Sequence, residues 1–293
     1  MTILDGKKAA AEWCAETARR VAALAAETGR TPRLAAVLVG DDPASETYVN
    51  LKAKRCEECG IRSTIVRMDA ATTQQQLHDR VRSLNRNSDI DGIIVQLPLP
   101  AHLDYKALLE VISPRKDVDG FTPDNIGRLA LGMDCLPPAT PAGIIELLRR
   151  NGISTCGKHV AVIGRSNIVG RPMASLLLQK SSMGDATVTV CHSATRGLDA
   201  ILRSADIVIS AVGRPGLVGA GMVRDGAVVV DVGTTRVSDP SRRSGYRLAG
   251  DVDFEAVAPA CSYITPVPGG VGPMTIASLL HNTLIAAERR QHR

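Results

Sequence analysis

Short apolar runs rich in Val and Ile alternate with helical stretches along almost the whole sequence, and this alternation constrains the fold most strongly. The pattern is typical of parallel strands joined by helical crossovers. The predicted strands are 33–39, 63–68, 92–96, 159–163, 187–191, 207–211 and 227–232. The later strands are apolar at nearly every position, which indicates that both faces of their sheet are covered. Helices are predicted at 45–59 and 73–85, each beginning at a residue able to cap.

A proline-rich break divides this pattern into two series. The segment 136–141 reads Leu-Pro-Pro-Ala-Thr-Pro, and 293 residues are enough for two domains of ordinary size. A last helix, predicted from 273 to about 289, has an apolar stripe that lets it return to the first domain. We therefore predict two α/β domains, one of residues 1–139 plus 271–293 and one of residues 140–270.

Charge and composition exclude several classes of partner. The 35 Lys and Arg residues exceed the 30 Asp and Glu residues only slightly and are scattered, so no nucleic-acid partner is predicted. No apolar run approaches the roughly 20 residues of a membrane helix, so no membrane association is predicted. The seven Cys residues are an odd number, and no apolar signal segment opens the chain, which favours a reduced, cytoplasmic compartment.

Cys56 and Cys59 form a C-x-x-C motif inside a predicted helix. No second pair lies at zinc-ribbon spacing, and no thioredoxin-like strand precedes the motif. A metal site is therefore not predicted, and a redox role is the less favoured interpretation.

The segment 160–172 combines a strand, a glycine turn and the beginning of a helix. Its N–H groups and the helix dipole can bind the pyrophosphate of a dinucleotide. The spacing from Gly164 through Ser166 to Gly170 departs from the usual G-x-G-x-x-G, so an ordinary strand–helix turn is the alternative.

The end of the next predicted strand favours NADP over NAD. NAD-binding folds usually place a carboxylate there to bind the ribose hydroxyls. Here the strand is followed by His192 and Ser193, so no carboxylate repels a 2′-phosphate, while Arg165 and Ser193 can bind one.

Four further segments carry candidate catalytic or binding groups. Tyr48 and Lys52 are four residues apart and share a helix face with Ser45, although an exposed amphipathic helix with incidental polar residues is the alternative. Gln96 ends a strand, where open α/β sheets bind their ligands. Asp119 stands before a glycine turn and could simply be a turn residue. The glycine loop 268–272 lets backbone approach a ligand closely.

Taken together, these motifs resemble the bifunctional methylenetetrahydrofolate dehydrogenase/methenyltetrahydrofolate cyclohydrolase family over nearly the whole chain. The resemblance implies two α/β domains, the second a Rossmann-like doubly wound parallel sheet, with an active-site cleft between them. The motifs that carry it are Tyr48-x-x-x-Lys52, 95–100 (Val-Gln-Leu-Pro-Leu-Pro), 116–120 (Lys-Asp-Val-Asp-Gly), 164–172 and 264–275.

The resemblance implies NADP-dependent oxidation of 5,10-methylenetetrahydrofolate to the methenyl form and hydrolysis of that cation to 10-formyltetrahydrofolate. Lys52 would be the central catalytic group, held by Gln96. Asp119 would bind the pterin edge and Tyr48 would stack on the folate rings. The implied substrate-binding residues are Tyr48, Lys52, Val95, Gln96, Leu97, Asp119, Pro268, Gly269, Gly270, Val271 and Gly272.

The resemblance also implies a homodimer and a set of cofactor positions. These positions are Gly164, Arg165, Ser166, Ser193 and Thr234. Thr234 departs from the Ile that the family commonly has after the glycine. Two other functions remain open: a different two-domain NADP-dependent dehydrogenase of a small hydroxy acid, and a nucleotide-binding module without catalysis.

Overall fold

The computed structural model describes residues 1–242 and 245–291. Its strands are β1 (Thr2–Ile3), β2 (Arg33–Val39), β3 (Arg62–Met68), β4 (Gly92–Val95), β5 (His159–Ile163), β6 (Thr187–Cys191), β7 (Ile207–Ser210), β8 (Ala227–Asp231), β9 (Thr235–Ser238), β10 (Tyr246–Ala249) and β11 (Cys261–Ile264). Its α-helices are α1 (Gly6–Thr28), α2 (Pro43–Glu58), α3 (Gln74–Arg86), α4 (Tyr105–Leu109), α5 (Pro123–Ala130), α6 (Ala139–Arg150), α7 (Gly170–Leu178), α8 (Leu198–Ser204), α9 (Phe254–Val257) and α10 (Val271–Gln291). Within the described ranges, no helix combines the length and hydropathy needed to span a membrane.

The chain divides into two compact units. The six-stranded unit comprises Met1–Ala10 and Thr140–Thr275, and the three-stranded unit comprises Ala11–Ala139 and Ile276–Arg293. Of the range 271–293, which the sequence assigned to the domain of residues 1–139, residues 271–275 group with the six-stranded unit, and the last two residues lie outside the described residues.

The six-stranded unit is built on a parallel sheet in the order β6-β5-β7-β8-β11-β1. The strand order reverses at β5, because β6 lies on one side of it and β7 on the other, as in doubly wound folds. β7 and β8 are buried at every position, as predicted, whereas β6 at the sheet edge is exposed at Thr187 and Val190 and is not covered on both faces. All connections after the strands therefore meet at one carboxyl edge.

The first ten residues group differently from the prediction. The sequence assigned them to the domain of residues 1–139, whereas the structure places them in the six-stranded unit. The reason is β1, which pairs with β11 in parallel, and the Leu4 N–H extends the pairing by donating to Ile264 O at 2.8 Å.

The three-stranded unit contains a parallel sheet in the order β3-β2-β4. Successive residues of β2 face opposite sides because a strand repeats every two residues. One core contains Leu34, Ala36 and Leu38, and a second contains Ala35 and Val37. Both faces of the central strand β2 are therefore buried, whereas β3 at the sheet edge is partly exposed.

Two predicted helices are present, with one correction to a cap. Thr73 caps α3 through a complete capping box with Gln76, as expected from a residue able to cap. α2 begins two residues earlier than predicted, because the Asp42 side chain accepts from Ser45 N at 2.8 Å and Pro43 occupies the first turn. Ser45 thus lies inside the helix rather than at its cap.

Candidate active site

Lys52 and Gln96 are hydrogen-bonded at the carboxyl edge of the three-stranded sheet. Lys52 lies on α2, and Gln96 directly follows β4. Lys52 Nζ donates to Gln96 Oε1 at 3.0 Å. Gln96 Nε2 donates to Leu97 O at 2.7 Å, which turns the amide oxygen toward the ammonium group. Two residues that are 44 positions apart therefore form one unit with a fixed orientation.

Tyr48 and Ser45 share the helix of Lys52 but have opposite environments. Tyr48 is 49% exposed, so its ring face is free to stack on a planar ligand. Ser45 is buried, and its Oγ has no hydrogen-bond partner among the described residues. Because its hydroxyl has almost no accessible surface, Ser45 does not present a group to a ligand as the exposed Tyr48 does.

Asp117 and Asp119 differ in how their carboxylates are used. Asp117 is buried and accepts from Gly120 N at 3.0 Å, Thr122 N at 2.7 Å and Asn125 Nδ2 at 3.0 Å. It therefore holds the turn. The half-buried carboxylate of Asp119 accepts no hydrogen bond from the described residues and is available to a ligand.

The charge on Asp119 depends on its surroundings. Burial raises its pKa to about 6, the Lys52 ammonium opposes that rise, and Asp117 adds to it. Burial also raises the pKa of Tyr105 well above its ordinary value, and Asp119 and Asp117 contribute to the rise. Tyr105, at the beginning of α4, is thus within electrostatic range of Asp119, and the sequence pattern did not single it out. The one sequence feature that could have drawn attention to Tyr105 is the rarity of tyrosine, since the chain has only four.

In the six-stranded unit, the loop after β5 requires glycine at two positions. Gly164 has a φ of 116°, and a Cβ there would overlap the carbonyl oxygen of Ala211. A Cβ at Gly170, the first residue of α7, would overlap the carbonyl oxygen of Gly164. The two glycines therefore let the strand end pack directly against the helix N-terminus.

The same loop exposes backbone donors. The N–H groups of residues 165–168 have no acceptor within the described part of the chain. The Ser166 hydroxyl accepts from Val169 N at 3.1 Å and Gly170 N at 3.4 Å, so its own hydrogen remains free to donate. These donors and the N-terminus of α7 form a cradle suited to an anion.

The loop after β6 offers hydroxyl and cationic groups but no carboxylate. His192 and Thr195 close a turn, with His192 N donating to Thr195 Oγ1 at 2.9 Å and Thr195 N to His192 O at 2.8 Å. Ser193 lies exposed in this turn, and Arg165 is exposed in the loop after β5. Residues 192–196 contain neither Asp nor Glu.

A buried aspartate, which the sequence pattern did not single out, organises the loop after β7. Asp251 is 0% exposed and accepts from Ser210 Oγ at 3.1 Å, Val212 N at 2.7 Å and Arg214 N at 2.8 Å. Its own N–H donates to Asp231 Oδ1 at 2.9 Å. Burial raises the pKa of Asp231 to about 6, although three backbone N–H groups stabilise its charged form.

Two further predicted segments lie at the same carboxyl edge. The loop 268–272 follows β11, and Gly270 lies so close to Gly6 that a Cβ on Gly6 would overlap the Gly270 carbonyl oxygen. Thr234 lies exposed directly before β9. The cofactor positions and the loop 268–272 thus belong to the six-stranded unit, whereas Lys52, Gln96, Asp119 and Tyr48 belong to the three-stranded unit.

Family models match almost the whole chain. The catalytic domain of tetrahydrofolate dehydrogenase/cyclohydrolase matches residues 4–119, and the NAD(P)-binding domain of the same family matches residues 138–291. The chain belongs to the tetrahydrofolate dehydrogenase/cyclohydrolase family. The family resemblance expected from the motifs is thereby confirmed.

Members of this family resemble the chain in both sequence and structure. The "Bifunctional protein FolD" of Bacteroides fragilis is 54% identical over 289 residues, 99% of each chain. The bifunctional FolD enzyme of Campylobacter jejuni is 48% identical, with a TM-score of 0.93 over 99% of each chain. The Trypanosoma brucei enzyme, solved with NADP cofactor and inhibitor, is 44% identical, with a TM-score of 0.94 over 100% of this chain and 99% of that one. A separate hydroxy-acid dehydrogenase, the alternative drawn from the sequence, is not supported by these matches.

The nucleotide loop of this family member fits a dinucleotide phosphate. Gly164 and Gly170 let the strand end pack closely against the N-terminus of α7, and the free N–H groups of residues 165–168 lie in the loop that joins them. Arg165 and Ser193 add a cation and a hydroxyl for a further phosphate. The donor set therefore matches NADP, as the sequence predicted.

Proposed function

We propose that the chain oxidises 5,10-methylenetetrahydrofolate to the 5,10-methenyl form with NADP and then hydrolyses that cation to 10-formyltetrahydrofolate. The observation that carries the catalytic assignment is the hydrogen bond between Lys52 Nζ and Gln96 Oε1 at a strand's carboxyl end. It fixes a proton-carrying group beside an uncommitted carboxylate, Asp119, and an exposed ring, Tyr48.

In the hydrolytic step, Lys52 handles the proton. A water molecule attacks the electrophilic carbon of the methenyl cation, and the resulting hydroxyl must lose a proton while a ring nitrogen gains one. An amine held at one position can relay that proton, a role for which proton transfer contributes about 10²–10⁴-fold in rate. Gln96 keeps the amine aimed by accepting from Nζ at 3.0 Å.

In the oxidative step, the chain mainly orients its ligands. The lone pair of a folate nitrogen drives the loss of hydrogen from the methylene carbon, so no protein acid or base is required. NADP, when bound, supplies the acceptor for that hydrogen and its electron pair. Gly164, Arg165, Ser166, Ser193 and Thr234 would bind the nucleotide, and their placement on rigid strand ends supplies the orientation.

Substrate binding is assigned to groups at both carboxyl edges. Asp119 would accept hydrogen bonds from the amino-pyrimidinone edge of the pterin, and Tyr48 would stack on the folate rings. The remaining proposed contacts are Val95, Leu97, Pro268, Gly269, Gly270, Val271 and Gly272. We further propose a cytoplasmic homodimer, supported by the family resemblance; light scattering at the mass of one chain would contradict the dimer.

The test of this proposal is Lys52→Met. We expect cyclohydrolase activity to fall by about 100-fold or more, because the proton relay is removed. NADP binding and the thermal unfolding midpoint should stay unchanged, since Lys52 is not part of the nucleotide loop. Lys54→Met is the matched control, because Lys54 is exposed on the same helix. Hydrolysis at the wild-type rate in Lys52→Met would overturn the assignment.

A further inference from the structure

Three cysteines meet in the core of the three-stranded unit, and none of them is among the residues proposed for folate chemistry. Cys14 lies on α1, Cys56 lies on α2, and Cys59 follows α2 as its cap. Cys59 Sγ donates to the carbonyl oxygen of Cys14 at 3.6 Å, and Cys14 packs against the buried cluster that contains Cys56 and Cys59. All three are free thiols.

The three thiols differ in access to solvent. Cys56 is 0% exposed and Cys59 is 1% exposed, whereas Cys14 is half-buried. A dissolved reagent therefore reaches Cys14 first. Cys59 is the buried thiol whose sulfur contacts the Cys14 backbone.

Electrostatics favour the same order of reaction. The hydrogen bond from Cys59 and the positive charge of Arg55 lower the pKa of Cys14, against the opposing effects of burial and Glu58. The same interaction and burial raise the pKa of Cys59, and burial raises that of Cys56 to about 12. A reactive thiol with a lowered pKa beside a buried partner is typical of an oxidisable pair.

We propose that Cys14 and Cys59 are a modification site at which a low-molecular-weight disulfide, such as oxidised glutathione, produces an intramolecular disulfide. The Cys14 thiolate attacks one sulfur of the reagent, the reagent's S–S bond breaks, and one glutathione thiolate leaves. Cys59 then loses its proton to solvent and attacks the Cys14 sulfur, and the second glutathione thiolate leaves. The two protein thiols are oxidised by two electrons, and the reagent is reduced to two glutathione molecules.

The second step follows from the first. Hydrogen bonding to Cys14 is the largest cause of the raised Cys59 pKa, and the charge of Cys14 adds to it. A Cys14 sulfur in a mixed disulfide carries no charge, so the Coulombic effect of Cys14 on the pKa of Cys59 disappears and Cys59 ionises more readily. The raised pKa of Cys56 has burial as its largest cause, and the first step leaves that burial in place.

The test uses the full chain with Cys156→Ser, which removes the exposed thiol that could form bonds between chains. The protein is incubated with oxidised glutathione, and its peptides are mapped by mass spectrometry without reduction. We expect a linked pair of peptides containing Cys14 and Cys59, reversed by dithiothreitol. Adding Cys59→Ser should halt the reaction at the Cys14–glutathione mixed disulfide, whereas adding Cys56→Ser should leave the linked pair.

Three outcomes would overturn the proposal. Cys14 could remain an unmodified thiol under conditions that modify Cys156 in the wild-type chain. The bond could form between Cys56 and Cys59 instead. The linked pair could also appear only in urea-unfolded protein. The peptide map of the wild-type chain tests the Cys14–Cys59 disulfide even if a serine variant fails to fold. None of these measurements depends on folate activity.

Discussion

Two carboxylates two positions apart have separate tasks at the scale of single residues. Asp117 accepts three hydrogen bonds from its own turn, so its charge is committed to structure. Asp119 has no such partners, and burial raises its pKa to about 6. The charge state of the group that we assign to pterin binding therefore changes within an accessible pH range.

The first prediction concerns this titration. The ionised form of Asp119 accepts hydrogen bonds, so the KM for the folate substrate should rise as the pH falls through about 6, the pKa of Asp119. At about pH 7.5, Asp119→Asn should raise the KM by roughly 10-fold or more, because a hydrogen bond to a charged group is lost. Its KM should also no longer vary across the same pH window.

The measurement is the initial rate against folate concentration between about pH 5 and 8, the range in which a group of this pKa changes charge. Asp124→Asn, an exposed aspartate at the beginning of α5, is the control. A KM that varies equally in Asp119→Asn and in the control would contradict the role of Asp119.

Part of the site was predictable at this scale and part was not. Lys52, Gln96 and Asp119 belong to motifs that resemble a family, so the sequence identified them before their contacts were known. Tyr105 and Asp251 belong to no such motif. Tyr105 is within electrostatic range of Asp119, and Asp251 accepts from Val212 N in the loop after β7. Both placements depend on long-range folding, which local sequence does not encode.

At the scale of elements, the bounds of three strands were predicted residue for residue, namely β2, β5 and β6. β2 and β5 are runs rich in apolar residues, which are distinctive, whereas β6 alternates Thr with Val and is partly exposed. α1 was not predicted, since alanines occur around much of its circumference and mark no clear apolar face. β1 has two residues and is recognisable only through its pairing with β11.

The nucleotide loop gives a prediction for one helix N-terminus. In Gly170→Ala the new methyl group would overlap the Gly164 carbonyl oxygen, so the strand end and α7 must separate. We expect NADP affinity to fall by about 10-fold or more, because the displaced loop would lose one or two hydrogen bonds to phosphate. Isothermal titration calorimetry measures this directly.

Gly219→Ala is the matched control for that prediction. Gly219 belongs to the same unit, and a Cβ there would have no heavy atom within 4 Å. Its NADP affinity should remain at the wild-type level. Equal affinities in Gly170→Ala and Gly219→Ala would refute the assignment of the loop to the cofactor.

Asp251 gives a second prediction at this scale. Asn can present only one acceptor oxygen to the three donors that Asp251 now satisfies, so at least one buried donor loses its partner. Asp251→Asn should lower the free energy of unfolding by about 1–3 kcal/mol. Urea denaturation followed by circular dichroism provides the measurement. Exposed Asp225→Asn is the control, and equal unfolding midpoints would contradict the network.

At the scale of the whole molecule, the proposed activity draws on both units. The three-stranded unit holds Lys52, Gln96 and Asp119, and the six-stranded unit holds the nucleotide loop. The sequence predicted two α/β domains because the apolar alternation breaks at 136–141. The sequence did not predict that the first ten residues belong to the six-stranded unit, because their placement depends on the pairing of β1 with β11.

The central claim is that one chain performs an NADP-dependent oxidation and a hydrolysis of the same one-carbon unit. The most direct measurement mixes purified protein with 5,10-methylenetetrahydrofolate and either NADP or NAD, and follows reduced nicotinamide and methenyltetrahydrofolate separately. We predict that reduced nicotinamide forms faster with NADP and that added methenyltetrahydrofolate decays faster than in buffer. The account would be contradicted if no reduced nicotinamide formed with either cofactor and methenyltetrahydrofolate decayed no faster than in buffer.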